Sequence, residues 1–381
     1  DLAIQRLENA EKALELANKD GDTQAINNAK EAVETASKEV LTSLENNYES
    51  LSEIEQFLAE NASKNSENTN AKLAEMLATQ ANLENNKSQA ALVSRYSNTA
   101  LSEMSANVNM ALQIGRNLDR HLLSQDNNNV WVNTESTKQS YHSDFYRPYK
   151  QTLTLTQIGV ANNVNDNVRV GAVLSHSRAS NTFAENVSGK NRLTTLSTYV
   201  KGNWNNGVFA SLDLGYGRSR NTIDFDGKNN VFHRSLFSAG VNAGIQLDLG
   251  INVQPSVGVR YNRLSKANYQ LAEANIESKA LNLMTYRAGL ELSKTFDVAG
   301  VKLTPNVASY YNDATQRKMA VNGALLVNNI GMQQQFGRYF NHEAGLAAQF
   351  NQWQVSAQVG MLKGSDITTQ KYAAFKLGYT W

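Results

Sequence analysis

Over roughly 250 residues, from about Val130 to Trp381, side-chain character changes at every second position. In Ile251 to Asn262 the residues Ile251, Val253, Pro255, Val257, Val259 and Tyr261 share one phase, and Asn252, Gln254, Ser256, Gly258, Arg260 and Asn262 share the other. Val208, Ala210, Leu212, Leu214 and Tyr216 oppose Ser211, Asp213 and Gly215 in the same way, and the last eleven residues read KYAAFKLGYTW. A period of two is that of a strand with one greasy and one polar face. A soluble sheet hides the greasy face under helices or a second sheet, but almost no helical pattern is interleaved here, so the expected cover is lipid. Mean hydropathy is -0.47, and no run of eighteen apolar residues is present. Both facts suit a transmembrane barrel, whose strands average polar because half their side chains face a wet lumen.

About twelve strands are predicted, near 130–138, 149–162, 167–179, 191–205, 207–221, 231–248, 251–266, 277–297, 301–313, 336–350, 352–363 and 369–381. An even count returns both ends of a single-chain barrel to one side of the membrane. The connections at 164–166, 205–206, 249–250, 298–300 and 351 are tight, whereas 180–190, 222–230, 267–276 and 314–335 read as long polar loops. Trp204, Tyr216, Tyr261, Tyr310, Trp353, Tyr379 and Trp381 fall near strand ends, where amphipathic rings sit at headgroup level. The expected fold class is therefore an all-β transmembrane barrel of about twelve antiparallel strands; a soluble β-sandwich is the alternative, disfavoured by strands of thirteen or more residues.

The first 123 residues obey a different period. They contain no Pro and are rich in helix-tolerant residues. After a break at Asp20-Gly21-Asp22, Ile26, Ala29, Val33, Ala36, Val40, Leu44, Tyr48, Leu51, Ile54 and Leu58 trace one apolar stripe, compatible with a marginal helix, a coiled-coil stalk or a helical hairpin. Residues 61–70 form a polar break; a further helix is expected through Leu73, Met76 and Leu77, and another from about Ser88 to Leu123. That last segment is slim, with Ser94, Ser97, Ala100 and Ala111 interleaved with Met104 and Val108, and it carries few charges, among them Glu103, Arg116, Asp119 and Arg120. A helix about 10–12 Å across fits a barrel wider than eight strands. Across the wall, Arg169, Lys201, Asp213, Asp248, Arg260, Arg287, Glu291 and Glu343 fall in the lumen phase as candidate partners. The division is thus 1–87 helical spacer, 88–129 pore helix and linker, and 130–381 barrel. With no signal sequence at residue 1, an upstream part is expected to be missing.

From about residue 90 onward the chain resembles the C-terminal translocator of monomeric (type V) autotransporters, most nearly the immunoglobulin A protease and Hap adhesin group of Haemophilus and Neisseria. The resemblance rests on Val93 to Leu122, on Val130-Trp131-Val132 and on the terminal Tyr-Thr-Trp. It implies a barrel in the outer membrane of a Gram-negative bacterium that helps its own N-terminal passenger, a serine protease or adhesin, reach the cell surface, with the helix left in the pore. It further implies that Phe375, Leu377, Tyr379 and Trp381 form the signal read by the barrel-assembly machinery, with periplasmic chaperones and outer-membrane lipid as the other partners. Relatives that cut themselves inside the barrel do so at an Asn-Asn pair in the pore helix; this helix offers Asn107-Val108-Asn109 instead, so any release is expected upstream.

Net charge is +1, which gives no indication of nucleic acid, and the absence of Cys removes disulfides and thiolate metal sites. His121, His142, His176, His233 and His342 lack metal-ligand spacing, and no H-E-x-x-H or G-x-S-x-G setting occurs. No cofactor and no enzymatic activity are expected of the 381 residues themselves. The rival readings are an outer-membrane barrel enzyme, with His142 and Asp144 as its nearest candidate pair, and a diffusion porin with a helical plug.

Overall fold

A computed structural model of the chain describes residues 2–45, 95–143, 146–272, 274–314, 318–323, 330–333, 337–365 and 367–381. The helix expected through Leu73, Met76 and Leu77, the stripe beyond Glu45, and Ser94 lie outside the described residues. Helices α1 (Leu2–Asp20) and α2 (Thr23–Glu45) pack on each other as a hairpin, the third of the three arrangements the stripe allowed. Gly21 makes the reversal at φ 74°, a conformation that costs a residue without Cβ little. Leu7 and Leu14 of α1 are buried together with Val33 and Ala36 of α2, so the stripe is a packing face.

Helix α3 (Arg95–Leu123) leads through residues 124–129 into the barrel. The strands, in chain order, are β1 (Val130–Tyr141), β2 (Tyr149–Asn163), β3 (Val168–Phe183), β4 (Val187–Asn203), β5 (Val208–Phe225), β6 (Lys228–Ile245), β7 (Leu247–Asp248), β8 (Asn252–Leu264), β9 (Ala267–Leu271), β10 (Ala274–Ser278), β11 (Leu281–Ser293), β12 (Phe296–Val298), β13 (Val301–Ala314), β14 (Lys318–Gly323), β15 (Ile330–Gln333), β16 (Arg338–Phe350), β17 (Trp353–Lys363) and β18 (Gln370–Tyr379). Twelve of them, β1–β6, β8, β11, β13 and β16–β18, form one antiparallel wall in which each strand pairs with the next. The wall closes where Val130 opposes Tyr379 and Ser136 opposes Ala373. Closure leaves no edge, so every wall strand finds its backbone partners within the protein, as lipid requires.

The phases read from sequence set the faces. Leu212, Leu214 and Tyr216 point outward and exposed while Ser211 and Asp213 are buried in the lumen; Val257 and Val259 oppose Gln254, Ser256, Arg260 and Asn262 likewise. Trp204, Trp353 and Trp381 are exposed at the turn-side end and Tyr216 toward the other, as an interfacial girdle requires. Tyr310 departs from that expectation: one residue out of phase with the outward Tyr311, it is buried in the lumen, with the Arg287 guanidinium 5.4 Å from its ring centre.

The long polar loops are the main correction. Residues 180–190 and 222–230 continue the ladders of β3–β4 and β5–β6 and close in tight turns, with Glu185 and Asn186 at φ 63° and 61° and Asp226-Gly227 at 54° and 77°. Such paired positive φ values are those of the twist-matched hairpin turn, for which Asp-Gly is a strong signal. The connection expected at 267–276 is the β9–β10 hairpin, and the one at 314–335 contains β14 and β15; together these form a separate four-stranded sheet. Strands of up to 18 residues exceed the roughly 9–11 that cross a bilayer, so they stand well clear of it at this rim.

Candidate functional site in the pore

Helix α3 spans 29 residues, about 43 Å at 1.5 Å per residue, which exceeds a hydrocarbon core of about 30 Å. It runs inside the barrel against β2, β3, β4, β6 and β8. Its start lies at the hairpin rim, where the Arg95 guanidinium donates to Asp226 at 2.5 and 2.7 Å and to the Glu185 carbonyl at 3.0 Å. Its end lies at the turn rim, where the Trp381 backbone N–H donates to the Asn129 side chain at 2.9 Å. The helix therefore begins at the hairpin rim, and both ends of the barrel wall meet at the other.

Between Ala100 and Gln113 the helix is held by close packing and neutral hydrogen bonds. Ala100, Leu101, Met104, Ala106, Val108, Met110 and Ala111 are buried. The hydroxyls of Ser105 and Tyr149 are 2.8 Å apart, and Asn109 donates to the Tyr149 oxygen at 2.9 Å and to Gln151 at 3.1 Å. One ion interrupts this stretch. Glu103 faces Arg234 of β6 at 2.7 Å with both side chains sealed from solvent, and Asn107 also donates to its carboxylate. A buried ion pair contributes little by itself, but stripping either partner leaves a stranded charge.

From Gly115 to Leu123 the mooring is ionic. Arg116 reaches Glu135 of β1 at 2.5 Å, and Arg120 reaches Glu343 of β16 at 2.6 Å. Asp119 is shared by Arg260 at 2.7 Å and Arg287 at 3.1 Å, while Arg260 also binds Asp213 at 2.8 Å. The fork of Arg260 suits such bidentate sharing. Two glycines make room for it. A Cβ at Gly115 would stand 2.7 Å from the Arg260 Cδ, and one at Gly240 2.5 Å from both Arg260 and Asp213. A Cβ at Gly215 or Gly217 would likewise crowd Ser197 or Thr195 of the neighbouring β4.

Of the candidate lumen charges, Arg169 and Lys201 hold the linker, donating to the carbonyls of Asn127 at 3.0 Å and Ser124 at 2.5 Å. Glu291 borders a cavity of about 430 Å³ beside the end of α3, together with Arg120, Tyr310, Glu343 and Lys376. Asp248 keeps the lumen phase, opposite Asn252 where β7 continues the β6–β8 pairing, but stands exposed at the turn rim away from α3, accepting from the Gly250 N–H at 3.2 Å. Four charged partners were not singled out from sequence: Glu135, Arg234, and the pair Lys376 and Asp126, 2.8 Å apart. Glu135 and Arg234 do occupy lumen-phase positions, so the alternation carried their signal. His121 stacks on Trp131 with ring centres 4.1 Å apart and lies 2.7 Å from the Lys376 amine. Phe375 and Leu377 face outward from β18 and Trp381 is exposed just beyond its end, whereas Tyr379 is half-buried, its ring 4.8 Å from that of Trp353. His142 meets Thr368 through its backbone, and Asp144 lies outside the described residues.

Residues 130–360 match the autotransporter beta-domain family. The adhesion and penetration protein autotransporter of Haemophilus influenzae is 36% identical over 295 residues, which is 77% of this chain and 20% of that protein. The IgA-specific serine endopeptidase autotransporter of Neisseria gonorrhoeae is 28% identical over 297 residues, 76% of this chain and 19% of that one. The chain thus spans about a fifth of the length of the curated relatives it matches. Among solved structures, the translocator domain of the autotransporter NalP from Neisseria meningitidis superposes with a TM-score of 0.58 at 15% identity, covering 72% of this chain and 98% of that one. The beta domain of the Bordetella autotransporter BrkA gives 0.53 at 18% identity, over 67% and 100%. A closed twelve-strand barrel with a helix through its pore, and this match across most of the wall, place the chain in the autotransporter beta-domain family, as the outer-membrane translocator barrel of a Gram-negative bacterium.

Proposed function

We propose that this barrel is arrested in the state that follows secretion, with α3 as the last stretch of an outgoing chain and a passenger attached upstream of it. The observation that carries this is the direction of α3. Its N-terminal end emerges at the rim of long hairpins, and its C-terminal end joins β1 at the rim of tight turns, where the barrel also ends. In outer-membrane barrels the long connections face outward and the tight turns face the periplasm. Anything preceding residue 95 is then outside, and its transport left the helix behind as a plug. The names of the relatives, an adhesion and penetration protein and immunoglobulin A1 proteases, support a passenger that is an adhesin or a serine protease, with any catalysis residing there. Residues 1–87, which include α1 and α2, act as the spacer between passenger and pore, and 88–129 as pore helix and linker.

A reporter fused before residue 1 tests this reading. It is expected at the cell surface, open to added protease, when the whole chain follows it, and to stay in the periplasm when the fusion joins at residue 130. A reporter that remains periplasmic although the 381-residue barrel is inserted and heat-modifiable on gels refutes it.

The outward rings of β18 also fit recognition by the barrel-assembly machinery, with periplasmic chaperones carrying the unfolded chain to it. Placing a charge at Trp381, near an interface, costs only about 0–1 kcal/mol of transfer energy, too little to unfold a closed barrel. Trp381→Lys is expected to refold normally in detergent while assembling poorly in cells. Equal assembly in cells leaves Trp381 as an interfacial anchor only.

A further inference from the structure

Outward-facing residues on β3 to β6 fall in rows across the strands, set by the register. One row is Leu174, Leu196, Tyr216 and Phe237, all exposed and apolar, the outer edge of the lipid belt. The next row toward the hairpin rim is His176, Thr194, Arg218 and Ser235, and the one after it is Arg178, Arg192, Arg220 and His233. Above that, Lys190 stands between Ser180 and Thr222. Directly opposed side chains on neighbouring strands have Cβ atoms about 4.5–5.5 Å apart, where like charges repel. Three guanidiniums and an imidazole in successive positions of one row are therefore unfavourable unless an anion lies on them.

The described residues supply none. Among the described residues no carboxylate lies within ion-pair distance of Arg178, Arg192, Arg218 or Arg220. The acids at the hairpin tips are engaged elsewhere, Glu185 with Arg147 at 2.7 Å and Asp226 with Arg95 at 2.5 Å, and Asp224 accepts from the Gly227 N–H at 2.9 Å in its own turn. Arg178 is oriented in place, its Nε donating to His176 Nε2 at 3.2 Å while His176 Nδ1 meets the Thr194 hydroxyl at 2.8 Å. Around the rest of the wall toward the hairpin rim the same face carries cations that stand singly, Lys138 opposite Thr152, Lys150 opposite Thr182, Lys363 opposite Phe340, Lys371 opposite Met361 and Arg263 between Phe237 and Asn282, or the Arg338–Asp313 pair. The cluster is confined to four adjacent strands.

Height selects the anion. Arg220 lies four residues beyond Tyr216, about 13 Å along the strand and about 10 Å up for a strand tilted about 40°. That is the level at which a lipid anchored in the outer leaflet presents its headgroup phosphates. We propose that β3–β6 carry a binding site for the phosphate groups of an outer-leaflet glycolipid, with Arg178, Arg192 and Arg220 as bidentate phosphate ligands, Arg218 and His233 flanking them, and the acyl chains laid on Leu174, Leu196, Tyr216 and Phe237. Guanidinium forks match phosphate oxygens two at a time, and the apolar row below supplies the second half of an amphipathic ligand. The site rests on the outer-membrane orientation of the barrel and is independent of what the passenger is.

Native mass spectrometry of the detergent-solubilised 381-residue chain tests it, with bisphosphorylated lipid A, the same lipid lacking phosphates, and inorganic phosphate as probes. Bisphosphorylated lipid A is expected to bind at one copy per barrel, at least tenfold more tightly than the dephosphorylated lipid, and not to be displaced by millimolar inorganic phosphate. The variant R178Q/R192Q/R220Q is expected to lose that binding at least tenfold while keeping heat-modifiable mobility. The equally neutralised K138Q/K150Q/K371Q keeps it. Equal binding by the arginine variant, equal loss by the lysine variant, or displacement by inorganic phosphate overturns the glycolipid site. If R178Q/R192Q/R220Q fails to fold, the single change R192Q, central in the row, is expected to weaken binding severalfold, and an unchanged affinity there overturns it too.

Discussion

The two halves of the pore hold one helix by different means. Toward the hairpin rim α3 is sealed by Leu101, Met104, Val108 and Met110 with a single buried ion pair, whereas toward the turn rim it is moored by Arg116, Asp119 and Arg120 beside a cavity of about 430 Å³. The difference follows from what each half does. A dry, slim packing face makes a tight stopper but has no long-range attraction, so it grips only when seated. Charges act over a longer reach and tolerate water, so they set the register and depth at which the helix stops.

The comparison is broken most completely by removing the helix. A chain begun after Leu123 is expected to give larger and noisier conductance in planar bilayers than one begun near residue 88, together with a lower midpoint for heat-induced mobility change. Identical conductance would mean that α3 does not plug the pore in the membrane. The next largest effect is expected at the sealed half. Glu103→Ala or Arg234→Ala strands a buried charge and is expected to cost about 3–5 kcal/mol in detergent unfolding, while the apolar pair Glu103→Leu with Arg234→Met recovers most of it. A single substitution costing no more than the double one contradicts the sealed ion pair.

At the moored half, Arg120→Ala or Glu343→Ala is expected to cost less, about 1–3 kcal/mol, because cavity water reaches the charge left behind. Its larger signature is a raised open probability of the plugged channel, which Glu103→Ala lacks if stopper and mooring are separate. The smallest effect belongs to the outer rim. The Arg95 guanidinium holds the Asp226 carboxyl below its ordinary 3.8. A carboxylate so depressed contributes stability that is present above about 3.8 and lost as pH falls through its folded value. Since Asp226 is more than half exposed, solvent screening limits the contribution to about 0–1 kcal/mol. Asp226→Asn is thus expected to leave stability nearly unchanged at pH 7 and to flatten its decline only below pH 4; a large loss at pH 7 would show that the clamp is buried in the membrane-inserted protein.

Legibility differed by element. The wall was readable because strand faces alternate with a period of two whatever the partner, and lipid demands apolar side chains at every outward position of the belt. The long hairpins were misread as loops because above the lipid both faces are polar, and the cue that remained was local turn chemistry at Glu185-Asn186 and Asp226-Gly227. Within the pore, phase alone gave the lumen position of Arg260, Arg287 and Glu343, but it did not show that Asp248 stands exposed at the turn rim, since alternation carries no mark of height along the wall.

The amino-acid order by itself determined twelve amphipathic strands, a slim helix before them and the family to which they belong, because each depends on patterns a few residues long. Tertiary structure alone decided which charges meet. Arg120 and Glu343 are 223 residues apart in sequence and 2.6 Å apart in space, and Asp119 meets both Arg260 and Arg287 rather than Arg169 or Lys201. Those choices depend on barrel shear and on the rotation and depth of the helix, which are set by the closure of the whole wall and by the packing of its interior at once.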